Sequence, residues 1–247
     1  MATTDPCFKQ LKRRINEPLR KLLVSGVSMR RSAWILGVQY STVARKLKFL
    51  AHQERISIEE LLQRFRLSAI SALHFDEMET FEHTKCKPLS IPLVVEPRHR
   101  LILSFDVAKM PAKGLLAEKS RKKYGPRVDQ RPESITRVLS GLRDMVTGGV
   151  RILSDENPKY PRKISEAIPG SVHETTKGRR GCVVGQGELK SGGFDPLFSL
   201  NHTCAMIRAN VNRMMRRTWC TTKKPECLLD HLTIYVGHHN RMVRAQS

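Results

Sequence analysis

Four carboxylates fall within Ala72–His83: Asp76, Glu77, Glu79 and Glu82. They stand out in a chain that has 23 Asp and Glu against 44 Lys and Arg. Apolar and polar residues roughly alternate along this stretch, which predicts a strand with Asp76 on one side and Glu77 and Glu79 on the other. A carboxylate set among Leu73, Phe75 and Phe81 is costly unless a cation compensates it. That cation is either an Arg or Lys of the chain, or a divalent ion held for work on phosphate. Asp155 is the second acid of interest. It follows the short apolar run Val150-Arg151-Ile152-Leu153, in Ser154-Asp155-Glu156-Asn157-Pro158. An acid in that place is ordinarily a turn former or a helix cap. Set beside Asp76, it would complete a pair able to bridge a metal ion.

The 247 residues suffice for one sizeable domain and a small one, and the formal net charge of +21 is spread along the whole length. Such a field attracts a polyanion, nucleic acid first, with a ribosome or an acidic membrane surface as alternatives. No apolar run approaches membrane-spanning length and no apolar leader opens the chain, so the expectation is a cytoplasmic protein without a membrane partner. Cys7, Cys86, Cys182, Cys204, Cys220 and Cys227 show neither zinc-ribbon spacing nor a secreted disulfide pattern. Cys220, Cys227 and His231 could meet at a metal, but buried free thiols are the plainer reading.

The elements that must position these groups follow from periodicity. Ile15, Leu19, Leu22 and Leu23 mark a helix ended by Gly26, Ser28 caps a second helix running to Leu36, and Ser41 caps a third with Val43, Leu47 and Leu50 inward. Two short helices joined at Gly37, with small Ala33 and with Val43 in the angle, have the helix-turn-helix layout. That layout leaves Gln39, Tyr40, Thr42, Arg45 and Lys46 at the start of the third helix to meet base edges and phosphate. A plain three-helix bundle with a solvated basic face is the alternative. Ser57-Ile58-Glu59-Glu60 reads as a capping box opening a connector or dimerisation helix. Residues 1–14 are then a flexible N-terminus, 15–52 the helix-turn-helix unit, 53–70 the connector, 71–240 the larger domain and 241–247 a tail.

Within the larger domain, Ala72–His83, Leu89–Glu96 and Arg100–Val107 read as an antiparallel meander. Met110–Arg131 reads as a basic mobile loop that could lie on DNA, or simply a solvated one. A helix stripe from Ile135 to Val146 ends at Gly148-Gly149, and then come the strand before Asp155, a helix over about Pro161–Ile168 and a strand over about Val172–Thr176. This order is that of an α/β, ribonuclease-H-like mixed sheet with flanking helices, in which functional groups collect at the carboxyl ends of strands. Such a sheet sets Asp155 beside Asp76. Gly178–Phe194 reads as a linker. A helix from about Leu200 to Arg217 would align Asn201 and Arg208, seven residues apart, along one edge. A closing helix covers about Pro225–His239.

Phe75-Asp76-Glu77-Met78, Leu153-Ser154-Asp155, the Asn201-x6-Arg208 helix and Arg216-Arg217-Thr218-Trp219 together resemble the DDE transposases of small bacterial insertion sequences, nearest the group whose first motif reads Asp-Glu-Met. The likeness spans about Ile15 to Asn240. It implies a ribonuclease-H-like catalytic domain holding two Mg²⁺ (or Mn²⁺) ions, and DNA strand cleavage and transfer at the ends of an element. Asp76 matches the first acid, Asp155 the second and Arg208 the basic residue beyond the third. Asn201 stands where the third acid is usually Glu; it offers a neutral carbonyl oxygen, or it merely caps its helix. The likeness also implies double-stranded DNA, both element ends and target, as partner, a homo-oligomer on that DNA, and a place at the bacterial nucleoid. Relatives commonly carry an N-terminal zinc ribbon, of which only Cys7 remains here. A decayed or domesticated transposase that binds DNA without cutting it, or a nucleic-acid-packaging protein, are the other functions this chain could serve.

Overall fold

The computed structural model describes residues 7, 10–66, 69–177, 195–215, 217 and 219–245. The expected linker 178–194 lies outside the described residues, with Cys182 and Glu188, and so do Arg216 and Thr218.

Strand β1 (Ile70–Phe81) is the longest strand and has a partner on each side. On one side the chain folds back through β2 (Pro88–Glu96) and β3 (Leu101–Phe105), both pairings antiparallel. A short β4 (Ala108–Lys109) also joins β2. On the other side β5 (Val146–Ser154) runs parallel to β1, and β6 (Val172–Thr175) parallel to β5. The sheet is therefore mixed, in the order β3-β2-β1-β5-β6. Parallel neighbours need a crossover, and helices supply both. α5 (Arg131–Ser140) precedes β5, and α6 (Tyr160–Ala167) joins β5 to β6.

Because side chains alternate along a strand, the two faces of β1 carry separate cores. Leu73 and Phe75 pack with Ile152, with Ile135, Val138 and Leu139 of α5, and with Tyr160 and Ile164 of α6. Met78, Leu93 and Val95 face the other way, onto α7 (Phe198–Asn210) and α8 (Pro225–Ala245), through Leu200, Ile207, Leu228 and Leu232.

That second core is continuous with the N-terminal helices α1 (Asn16–Leu23), α2 (Met29–Ile35) and α3 (Tyr40–Phe65), whose Leu19, Leu23, Val43, Leu47 and Leu50 are buried in it. Ser28 caps α2 as expected, its hydroxyl accepting from the Arg31 amide. Gly37, at φ +61, makes the turn to α3. Ser41 does not cap α3, since Gln39 precedes its first turn. The third helix and the connector expected from Ser57 are one unbroken helix. Nothing between Ala51 and Ser57 breaks it, and its middle is fixed by Glu54, only 2% exposed. The Glu54 carboxylate pairs with Arg20 of α1 at 2.9 Å and with both Arg241 terminal nitrogens at 2.6 and 2.9 Å. Gly237 of α8 makes room for it, because a Cβ there would sit 2.0 Å from Glu54 Oε2.

Four other boundaries depart from the sequence reading. Met110–Arg131 is not a bare loop: it holds α4 (Leu116–Tyr124), anchored by Ser120 Oγ donating to the Cys86 carbonyl. The stripe from Ile135 stops at Gly141, and Gly148-Gly149 lie inside β5 beside a register shift against β1. α7 ends at Asn210, followed by a 3-10 turn at Asn212–Met214. α8 runs on to Ala245, so Arg241 belongs to the fold and not to a tail. No helix among the described residues is long and apolar enough to cross a membrane.

Two expectations follow for stability. Gly237→Ala should cost about 1–3 kcal/mol in chemical denaturation, since the methyl displaces a carboxylate locked by two arginines. His231 is 1% exposed, its Nε2 donating to the Leu23 carbonyl at 2.8 Å. Burial lowers its pKa to about 4. The unfolded imidazole takes up protons first, so the stability tied to the neutral ring is complete above about 6.5 and is lost as pH falls toward 4. Going from pH 7 to 5 should cost about 1–2 kcal/mol, a loss that His231→Gln, which keeps a donor but does not titrate, should largely remove.

Candidate active site

The β1–β5 pairing builds the site. Phe75 lies opposite Ser154, the last residue of β5. One step further along both chains come Asp76 and Asp155, with about 4.8 Å between neighbouring strands. Asp76 shares its side of the sheet with His74 and Met78, the side covered by α7. Asp155 Oδ1 accepts from the Asn157 amide at 3.1 Å, so it shapes the turn as well as facing its neighbour.

The electrostatics of Asp76 follow from this crowding. Burial pushes its pKa up to about 6, against a hydrogen bond from the Glu77 amide, and the charges of Asp155 and Glu77 raise it further. The Tyr160 hydroxyl, 3.5 Å from Asp76 Oδ1, opposes the rise. The same hydroxyl is 3.1 Å from Glu77 Oε2, and Ser90 Oγ donates to Glu77 Oε1 at 2.5 Å. Tyr160 is fixed in place by its edge contact with the Phe75 ring, centroids 4.8 Å apart. Its own pKa is raised, by burial first and then by the acids around it.

The two candidate cations for this stretch divide by residue. Glu79 takes Lys113 at 2.8 Å, and Glu82 takes Arg127 at 2.6 Å. Asp76, Glu77 and Asp155 are held instead by hydroxyls and backbone amides.

Helix α7 brings its buried stripe against the Asp76 face. The Cys204 thiol is pushed up to about 12 by burial, the charge of Asp76 raises it further and that of Arg208 opposes. Arg208 Nε is buried with no hydrogen-bond partner among the described residues. Asn201 is on the same helix but exposed, and its amide donates to Asp195 Oδ2 at 2.9 Å. It is therefore neither a helix cap nor turned inward as expected. Asp195 shapes the turn into α7, its Oδ1 accepting from the Leu197 amide at 3.0 Å.

Among the described residues no group of three or more His, Cys, Asp and Glu side chains is placed to hold a metal ion. Asp76 and Asp155 remain a pair of hard oxygen donors whose mutual repulsion no ion pair among the described residues relieves, a set that fits Mg²⁺ or Mn²⁺. Asn201 is exposed, with its NH2 held by Asp195 and its side-chain carbonyl oxygen uncommitted among the described residues. Cys220, Cys227 and His231 form no such group either, and both cysteines are free thiols.

Three neighbours of the site escaped sequence reading. Tyr160 stands just before the helix expected from about Pro161, Asp195 just past the expected linker, and no motif marks either. His74 was visible only as the residue two before Asp76. Its Nδ1 is buried without a partner among the described residues, and burial lowers its pKa against the charges of Asp195 and Glu96.

At the start of α3, Gln39, Tyr40 and Arg45 are exposed and Thr42 is half-buried. Lys46 is not on that surface. It is 5% exposed and donates to Gln10 Oε1 at 3.0 Å, because it lies three residues after Val43 and four before Leu50, on the buried stripe.

Asp76→Asn removes one of three crowded charges and keeps an acceptor for Tyr160. It should raise Tm at pH 8 by about 2–4 °C, each kcal/mol relieved being worth that much in a chain of this size.

No protein-family model matches the chain, and no curated protein matches it.

Proposed function

We propose that this chain is a DNA transposase, with a ribonuclease-H-like catalytic unit and a helix-turn-helix reader, acting on double-stranded DNA with Mg²⁺ or Mn²⁺. The observation that carries the reading is the Phe75–Ser154 pairing, which brings the uncompensated Asp76 and Asp155 to adjacent positions. The strand order β3-β2-β1-β5-β6 with helical crossovers supports it, as does a net charge of +21 for a polyanionic partner. Bound at such an acid pair, two ions supply an activated attacking oxygen and a stabilised leaving oxygen for phosphodiester cleavage and transfer.

The chain's own residues do the remaining work. Asp76 and Asp155 bind, and their pairing fixes the spacing. The Tyr160 hydroxyl, within reach of both Asp76 and Glu77, holds them in orientation. Arg208, whose buried Nε–H has no acceptor among the described residues and whose charge is felt by Cys204, suits a phosphate oxygen. Asn201 stands by as a neutral third donor. In the reader, Gln39, Tyr40 and Arg45 meet DNA, with Thr42 at the edge and Lys46 left out. Such an enzyme works as a homo-oligomer bridging element ends, at the nucleoid of a bacterial cell. A second reading, a DNA-binding protein that no longer cuts, is favoured by Asn201, which brings no charge and is engaged with Asp195.

A strand-transfer assay with end-containing DNA and Mg²⁺ or Mn²⁺ tests the proposal. Asp76→Ala and Asp155→Ala should each lower cleavage by at least about 100-fold with DNA affinity retained. Asn201→Glu should tighten Mg²⁺ binding in calorimetry, and Arg45→Glu should lower the salt dependence of DNA binding by about one contact. Cleavage that survives loss of Asp76 sinks the enzyme, and DNA binding without any cleavage in the native chain leaves the second reading.

A further inference from the structure

On the face of β1 opposite Asp76, a cleft of about 270 Å³ opens between α5, α6 and the segment before α4. It is lined by Lys113, Arg131, Lys159 and Lys163, by Pro132 and the edge of the buried Ile135, and by Glu77. From this arrangement we infer that the cleft binds one nucleotide of a DNA strand, its phosphate against Lys159 and Lys163 and its base against Pro132. The inference rests on the transposase reading for the source of the strand, and not for the chemistry of the cleft.

The charge balance favours an anion. The two acids of the lining are already engaged: Asp129 holds Arg131 at 2.8 and 2.5 Å, and Glu77 accepts from Ser90 and Tyr160. Lys113 is shared with Glu79, and Lys163 with Glu166 only at 3.6 Å. Lys159 is exposed at the rim, and one helical turn separates it from Lys163, so the two ammonium groups rise from the same side of α6. With Arg131 and Lys113 held by Asp129 and Glu79, the charges left to act are Lys159, in no ion pair among the described residues, and the loosely held Lys163; beside an apolar wall they suit a group with one anionic and one flat apolar part. The volume lies near the lower end of small-ligand sites, which admits a single nucleotide and excludes a duplex. Position gives the cleft its use. Glu77 of its lining shares the Tyr160 hydroxyl with Asp76, so a strand whose next nucleotide sits in the cleft passes over the end of the sheet to the acid pair. The occupant is therefore unpaired, a nucleotide flanking the scissile phosphate.

The probe is a 5′-phosphorylated deoxyadenosine dinucleotide, titrated calorimetrically into the full chain without metal. Reversing both charges in Lys159→Glu/Lys163→Glu should weaken it at least about tenfold, as expected for loss of charge-assisted phosphate contacts. The same net change at Lys21→Glu/Lys223→Glu, on exposed lysines elsewhere, should shift it less than about twofold if the field of the whole chain is a minor part. Lysine acetylation read by mass spectrometry should show Lys159 and Lys163 protected by the dinucleotide. Equal weakening by both double variants, or no protection, overturns the site. Inorganic phosphate binding as tightly as the dinucleotide overturns the base contact. A free deoxyadenosine monophosphate that outcompetes the dinucleotide would make the occupant a metabolite and overturn the strand assignment. Dinucleotide binding that depends on Lys159 and Lys163 in a chain that cuts no DNA upholds the cleft while the transposase reading falls.

Discussion

Strand β1 has hydrogen-bonded neighbours on both edges, so every side chain it carries must be accommodated above or below the sheet. Leu73, Phe75 and Met78 meet that requirement by packing, Glu79 by an ion pair with Lys113. Asp76 does so only in part. It accepts two hydrogen bonds, yet burial first, and then the charges of Asp155 and Glu77, make its ionisation costly. The parallel register with β5 adds to this tension, because it brings Asp155 to the next place on the same side. A fold assembled for stability alone would have an Asn or Leu there. The strain is informative for that reason: it is concentrated where two parallel strands end and a cation would relieve it.

The second organising feature is the Glu54 cluster. A buried carboxylate held by Arg20 and Arg241 links α1, α3 and α8, and breaking one partner would leave a charge stranded in the core. It also explains why α3 continues past Ala51 without a break. The N-terminal helices share their apolar core with α7 and α8, so the basic surface at the start of α3 is held by the same core that backs Asp76. A shared core of this kind fixes the distance between the start of α3 and the Asp76 face of the sheet.

Residue types and spacing were enough to locate the acid pair, the sheet's strand and helix order, the Gly37 turn and the inward faces of most helices. Each depends on local chemistry: alternation for a strand, a period of 3.6 for a helix, glycine where φ is positive. The same rules misplaced what depends on partners distant in the chain. The Ser57 capping box was locally sound, yet the long helix won because Glu54, a few residues earlier, is anchored by residues 20 and 241. Lys46 looked like a phosphate contact, but three-residue and four-residue neighbours turned it inward toward Gln10. Asn201 was aligned with Arg208 by arithmetic, while its amide N–H donates to Asp195, a residue just past the expected linker that no motif marks. Tyr160, which joins the two faces of β1 through one hydroxyl, has no sequence signal beyond being aromatic. What the sequence determined, then, was which residues could do chemistry. Which of their charges stay uncompensated was decided by tertiary structure, because compensation depends on the long-range contacts that bring Lys113 to Glu79, Arg127 to Glu82, and no cation to Asp76 among the described residues.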